Sequence, residues 1–384
     1  MTSLPLMLDQ LRSGCIKGIS FSRARVTERQ QSIEISKTSD LEACHKFPIN
    51  ALCLDPVEGR FLLSGGIAGQ IFVHDTFEQS EGTLPVVAKI PHGTRYAHKY
   101  SVETVQWFPA DTGTFTSSSM DKTLKLWDAN RLKPVFLARF NGQVYKHHQS
   151  RVNCNLVLLA TDESHAQILD LNTSSKTHML SGAHTGKVRQ CIWSPVVEHL
   201  CVTGGTDGRV CIWDVRYTRG HLAALDTDHT NQKKANHHRA HHDRIVSMEF
   251  SSDGLELLTY GLDHTVRIWD VALAKNRRIN FGRISCASVK GVQIALADDG
   301  TTPVLFVPSG QSIRMCDTTT GVRLKNLRAH LDSVSAVVYC NHTKRLFSAG
   351  ADRSILLWCS EAELEEDSKA KSEAIADRWS DSDD

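Results

Sequence analysis

The sequence predicts an all-β fold, a seven-bladed β-propeller, on three observations. A short apolar segment ending in Trp-Asp recurs as LKLWD at 124–128, VCIWD at 210–214 and VRIWD at 266–270, with ILLWC at 355–359 a near match. Weaker copies fill the intervals: IFVHD at 71–75, QILDL at 167–171 and IRMCD at 313–317. Counted at Asp75, Asp128, Asp170, Asp214, Asp270, Asp317 and Cys359, the copies stand 53, 42, 44, 56, 47 and 42 residues apart, a period that one four-stranded unit fills.

Taken in chain order, residues 1–30 precede the repeats and read as an N-terminal helical segment. Within it Leu4, Met7, Leu8 and Leu11 share one face of a short amphipathic helix, which either folds back on the propeller or docks into a partner's groove. Residues 31–36 (QSIEIS) alternate polar and apolar and are expected to supply the outer strand of the last blade, closing the ring. The propeller runs over 31–360, its first blade beginning near residue 49. Each good repeat has an apolar first strand such as VRQCIW at 188–193, a second such as LCVTGG at 200–205, an Asp-containing turn, and the strand bearing Trp-Asp. Residues 361–384 hold ten acidic side chains against Lys369, Lys371 and Arg378, so this tail carries −7 and the rest of the chain +8. It is expected to be disordered, with Trp379 as an aromatic handle and Ser380 and Ser382 as candidate phosphorylation sites.

The repeats carry a second, polar periodicity. Six residues before each Trp of the good copies stands an Asp, and four before that a Ser or Thr; 22 or 23 residues upstream of the Asp stands a His. The four sets are His98, Ser117, Asp121 and Trp127; His184, Thr203, Asp207 and Trp213; His241, Thr259, Asp263 and Trp269; and His330, Ser348, Asp352 and Trp358. They are read as buried structural clamps, one per blade. Ser, His and Asp together also evoke a hydrolase, but a set repeated at fixed spacing in four blades cannot be one active site, so no enzyme activity is assigned. The third blade has Glu163 and the sixth Gly310 where the Asp should be, and the first has Ala68 and His74 in place of Asp and Trp, with Ser64 retained. Those blades are expected to hold by packing.

The 56-residue interval is explained by an inserted polar loop, 227–242, whose His237, His238, His241 and His242 invite a metal reading. His241 belongs to a clamp and no cysteine accompanies the others, so a solvated loop is expected, with no metal and no cofactor. The 11 cysteines include no CxxC pair and read as free thiols in a reducing compartment. With 41% hydrophobic and 23% charged residues, the composition is that of an ordinary globular chain. No apolar run approaches a membrane span, and no dense Lys/Arg stripe with interleaved aromatics suggests direct nucleic-acid binding.

YSVETVQWFPADTGTFTSSSMDKTLKLWD at 100–128, PVEGRFLLSGG at 56–66, VCIWDVR at 210–216 and FVPSG at 306–310 go beyond generic WD-repeat grammar. In order and length the chain resembles the Cockayne syndrome group A family over the whole propeller and into the acidic tail. The resemblance implies a nuclear, non-catalytic substrate receptor of a cullin-4-type RING ubiquitin ligase in transcription-coupled nucleotide excision repair. It implies contact with the ligase's large triple-propeller adaptor, with the cullin and RING subunits through that adaptor, and with clients such as the Cockayne syndrome group B translocase and RNA polymerase II. It places adaptor contacts on the N-terminal face of Leu4, Met7, Leu8 and Leu11 and on a WDxR element, whose one copy here is Trp213-Asp214-Val215-Arg216. From its position after the strand, Arg216 is expected to project from the rim, free to fork onto a partner's carboxylate or carbonyls. Two other classes stay open: a general scaffold of the G-protein β type, and a peptide reader without a ligase. The client face is expected at the turns around the central channel, at Lys187, Arg244 and Ser333 before first strands and at Met120, Thr206, Leu262 and Ala351 beside the clamp Asp.

Overall fold

The computed structural model describes residues 17–36, 40–78, 82–217, 220–227, 238–286 and 290–360. The four apolar N-terminal positions and the acidic tail, including Trp379, Ser380 and Ser382, therefore lie outside the described residues, as does His237.

Seven four-stranded antiparallel sheets follow one another around a ring. Blade 1 is built from Ile49–Leu54, Phe61–Gly66, Ile71–Asp75 and Val86–Ile90. Blade 2 runs from Val102–Trp107 to Lys133–Arg139, blade 3 from Val144–Gln149 to Ser175–Leu180, and blade 4 from Val188–Trp193 to Ala223–Ala224. Blade 5 runs from Ile245–Phe250 to Lys275–Asn276 and blade 6 from Ala295–Ala297 to Arg323–Arg328. Blade 7 combines Val334–Tyr339, Leu346–Gly350 and Ile355–Cys359 with Glu34–Ile35, which pair with Cys359 and Trp358. The outer strand of the last blade thus comes from the start of the chain, within the segment whose alternation anticipated it. Ile33, fully buried beside Trp358, Phe306 and Val334, anchors that closure.

Burial follows strand position. The outer strand of blade 2 alternates exposed and half-buried residues, whereas the second strands of blades 3 and 4 are buried from their second residue onward. Apolar clusters fill the seams between blades, for example Leu158, Ile168, Cys191 and Trp213 between blades 3 and 4. Polar staples cross the seams as well. His147 of blade 3 lies 2.7 Å from Ser118 Oγ at Nδ1 and 2.9 Å from Thr116 Oγ1 at Nε2, both from blade 2, the neutral ring donating to one hydroxyl and accepting from the other.

In six blades the pairing of the first two strands slips after the first residue, leaving Asn50, Glu103, Tyr145, Arg189, Val246 and Ser335 as bulges. A bulge re-aims its side chain out of the alternation, and five of these six line the axial channel. The loop before each first strand and the turn between second and third strands lie on the same face, called the upper face here; Asp214 and its counterparts end their strands on the lower face.

A helix within the expected N-terminal helical segment, α1 (Gly18–Gln31), which lies beyond the amphipathic stretch singled out in the sequence, precedes the closing strand. It lies under blades 6 and 7: Thr27 Oγ1 is 2.8 Å from Thr301 Oγ1, and Gln30 Nε2 donates to Asp299 Oδ1 at 2.5 Å and to Tyr339 Oη at 3.4 Å. Its seat is polar, so no apolar stripe announced it; a Cβ on Gly300 would meet Thr27 Oγ1 at 2.6 Å, which explains a glycine there.

Candidate functional site

All four clamp sets meet in space. The His Nε2 to Ser/Thr hydroxyl distances are 2.7, 2.8, 2.8 and 2.7 Å in blades 2, 4, 5 and 7. The Trp Nε1 donates to the same hydroxyls at 2.7, 2.7, 2.9 and 2.7 Å. On the other side each His Nδ1 faces its Asp, at 2.9, 3.3, 3.0 and 2.8 Å. A carboxylate only accepts, so Nδ1 carries the proton, Nε2 accepts, and the hydroxyl donates to it while receiving the indole N–H. Each hydroxyl is buried and spent on these two bonds, which leaves it no access to a substrate carbonyl. Burial works to raise the carboxyl pKa of Asp121, Asp207 and Asp263, but the Nδ1–H of the paired His and the backbone N–H groups that donate to each carboxylate outweigh it and hold each well below the usual carboxylate range.

Blade 1 has a clamp that sequence reading missed. His45 Nε2 lies 2.8 Å from Ser64 Oγ, and Gln70 stands in for the Asp, its Nε2 3.4 Å from His45 Nδ1. With burial unopposed by a carboxylate, the His45 pKa falls to about 3. The signal was present, a His 19 residues before the Ser as in blade 2, but the missing Asp hid it. His74, in the Trp position, faces Cys44 and the Glu42 carbonyl instead. In blade 3 Glu163 pairs with His165 at 2.6 Å, and in blade 6 Gly310 takes φ +61 in a tight turn. In the described part of the inserted loop, His238 pairs with Asp226 at 3.2 Å; among the described residues no cluster of metal-ligating side chains occurs.

On the upper face the expected client positions are bound in pairs by their backbones. Thr206 N donates to Lys187 O, Leu262 N to Arg244 O and Ala351 N to Ser333 O, each at 2.8 to 2.9 Å, and Met120 N to Ser101 O at 3.0 Å. Gly208, beside the blade 4 clamp at φ +73, is required there: a Cβ would meet the carbonyl of His241 at 2.2 Å. Two of these positions need correction. Lys187 is not a free steering charge, because its Nζ lies 2.5 Å from Asp162 Oδ1 across the blade 3 seam. Leu262 packs against the core between blades 5 and 6. The half-buried Arg189, two positions beyond Lys187, reaches the channel instead. Its guanidinium sits 4.2 Å above the Tyr145 ring, and Tyr145 Oη donates to Asp162 at 2.7 Å. Opposite lie Lys290 and Glu103, 3.8 Å apart; burial pushes the Glu103 carboxyl above its ordinary range.

On the lower face Arg216 is exposed, but its fork is already used: Nε donates to Asp214 Oδ1 at 3.0 Å and Nη2 to Oδ2 at 2.7 Å. This corrects the expectation of an unengaged guanidinium. Asp214 is held down to about 2 by that bond. Exposed Val152, Val196, Val197 and Leu255 form an arc beside the pair. The arc is continuous: Asn153 bonds Glu198, Val215 N bonds His199 O, and Gly254 lies against Val196. It runs on through Ser252 N and Asp298 toward Asp299 and α1.

The chain is 26% identical to WD repeat-containing protein ATCSA-1 of Arabidopsis thaliana over 96% of its own length and 98% of that protein's. It is 26% identical to Radiation-sensitive protein 28 of Saccharomyces cerevisiae over 45% of the chain and 38% of that protein. With a Ribosome biogenesis protein WDR12 homolog of Drosophila mojavensis it shares 24% over 59% of the chain, spanning about half of that relative. No described helix is long and apolar enough to cross a membrane. The WD domain, G-beta repeat family matches residues 90–128, and the propeller family described as Nucleolar protein 10-like, N-terminal domain matches 145–357, blades 3 to 7 and more than half of the chain. The chain belongs to that propeller family and is a WD-repeat β-propeller protein.

Proposed function

We propose that the chain is the non-catalytic substrate-recognition subunit of a cullin-4-type RING ubiquitin ligase in transcription-coupled nucleotide excision repair, acting in the nucleus. The lower face holds the ligase's triple-propeller adaptor, and the upper face holds the client. The reading rests on a full-length relative whose name carries the Cockayne group's initials and on a second named for radiation sensitivity. The observation that carries it is the Asp214–Arg216 pair at the edge of an exposed apolar arc leading to α1. An exposed ion pair is worth little to folding, so its carboxylate and guanidinium are available to exchange partners, and the arc supplies the apolar area that an interface core needs. The N-terminal face of Leu4, Met7, Leu8 and Leu11 is the second adaptor contact. A scaffold in ribosome biogenesis is the alternative, favoured by the partial match to the WDR12 homologs. Capture of interacting proteins by the tagged full chain separates the two: adaptor, cullin and RING subunits dominate under the first reading, and pre-ribosomal proteins under the second.

A further inference from the structure

The bulge ring of the six blades is not only a structural repeat, because its members differ in how far their polar groups are used. Asn50 spends its amide on Ser101 Oγ at 2.6 Å and on the Val102 carbonyl at 3.2 Å. Ser335 donates to the carbonyls of Ile49 and Ala349. Tyr145 donates to Asp162. Two groups are left over. Among the described residues, Arg189 Nε is buried with no hydrogen-bond partner, and Glu103 Oε1, on a side chain only 9% exposed, has no hydrogen bond and only the Lys290 ammonium at 3.8 Å. Both line the channel, about 550 Å³ in volume, and both flank the bulge of blade 3.

Unsatisfied buried polar groups are costly in a folded protein and mark places that something else completes. The charge around them indicates what that is. Arg189, Lys290 and Arg244 line the channel beside Glu103, and over the whole lining Lys146, Arg151, Arg189, Arg244 and Lys290 face Asp55, Glu103 and Glu249, an excess of two positive charges. Arg189 is also preorganised. Its plane rests on Tyr145, Tyr145 is held by Asp162, and Asp162 is held by Lys187. A guanidinium fixed in this way loses little freedom on binding and recognises a planar or tetrahedral anion through its fork. Around the mouth, Phe47, Ile67 and Tyr100 of blades 1 and 2 stay exposed beside the clamp turns, apolar ground for flanking residues.

We infer that the upper mouth of the axial channel receives one anionic side chain of a bound peptide, a Glu, Asp or phosphoserine, gripped by Arg189 and Lys290 while neighbouring apolar residues rest on Phe47, Ile67 and Tyr100. The inference rests on the upper face being the client face and names what that face reads. It moves the charged contact from Lys187, which is already paired, to Arg189.

The test uses the full chain and a displayed seven-residue peptide library with randomised flanks and a central residue fixed as Glu, phosphoserine, Gln or Lys. The expected result is enrichment of the Glu or phosphoserine pools; which of the two leads distinguishes a constitutive from a phosphorylated partner. The best peptide, labelled and titrated by anisotropy, should lose about tenfold or more in affinity with Arg189→Gln and less with Arg189→Lys, which keeps the charge but not the fork. Val135→Ala, exposed on the outer strand of blade 2, should bind as wild type. Enrichment of the Lys pool, no enrichment of any pool, or wild-type affinity in Arg189→Gln would each overturn the inference. Should Arg189→Gln fail to fold, Lys290→Gln takes its place, with an expected loss of several-fold. A chain that captures the adaptor but ignores these peptides refutes the channel inference alone. One that binds them but never captures the adaptor refutes the ligase reading alone.

Discussion

The indole nitrogen of Trp213 lies 2.7 Å from Thr203 Oγ1, while that of Trp193, equally buried in the same blade, meets no acceptor among the described residues. The two rings therefore differ in what they do for blade 4. Trp213→Phe keeps most of the packing but leaves a buried hydroxyl short of its donor, an expected cost of about 1–3 kcal/mol. Trp193→Phe removes an unpaired donor along with some volume and should cost less than about 1.5 kcal/mol. Truncation of either to Ala should cost about 3–5 kcal/mol. Denaturant midpoints of the four variants check the order; equal costs for the two Phe substitutions would show that the clamp bond adds nothing.

Acid should destabilise the propeller through its neutral histidines. Burial holds His147 at about 3, His45 at about 3 and His74 at about 4, all below the ordinary imidazole value. A histidine depressed in the folded state stays neutral there while the unfolded chain takes up a proton. Its contribution is complete above about pH 6.5 and is lost as pH falls from there toward 3. For His147 alone the loss between pH 7 and pH 5 is about 2 kcal/mol. The clamp aspartates, with pKa values lowered by their His partners, add a loss of the same sign at still lower pH. The slope of stability against pH between 7 and 5 should be shallower in His147→Gln than in wild type, and an unchanged slope would place the titration elsewhere.

Much of this fold was legible because its determinants are local and periodic. The four complete clamps and the start of blade 1 near Ile49 follow from spacing, and the ring closure within 31–36 from polar/apolar alternation. What stayed hidden depends on contacts without period. The His45 clamp uses Gln70 where the pattern demands an acid; α1 sits on polar contacts from Thr27 and Gln30. The Lys187–Asp162 pair joins two blades, and a lysine beside a channel in sequence looks the same whether or not an aspartate from the next blade has claimed it. The bulges at Glu103 and Arg189 exist only in strand pairing, so nothing in the sequence separated those residues from their neighbours.

Ring closure supplies a third prediction. Ile33 is fully buried in the blade 7 core, next to the two-residue strand that completes that blade. Ile33→Ala should cost about 2–4 kcal/mol, since the cavity would open at the one seam closed by non-covalent pairing of the chain's two ends. Deleting residues 1–15 should leave the melting temperature unchanged while adaptor capture is lost. A large fall in melting temperature on that deletion would mean that the N-terminal apolar face packs on the propeller.

The most direct test of the lower-face assignment is the affinity of the full chain for the purified triple-propeller adaptor, wild type against Arg216→Ala. The exposed pair with Asp214 contributes little to the fold, so the variant should melt as wild type does. Its adaptor affinity should nevertheless fall by roughly tenfold or more, as expected for loss of a charged contact within an interface. A variant that melts normally and binds the adaptor with wild-type affinity would contradict the assignment.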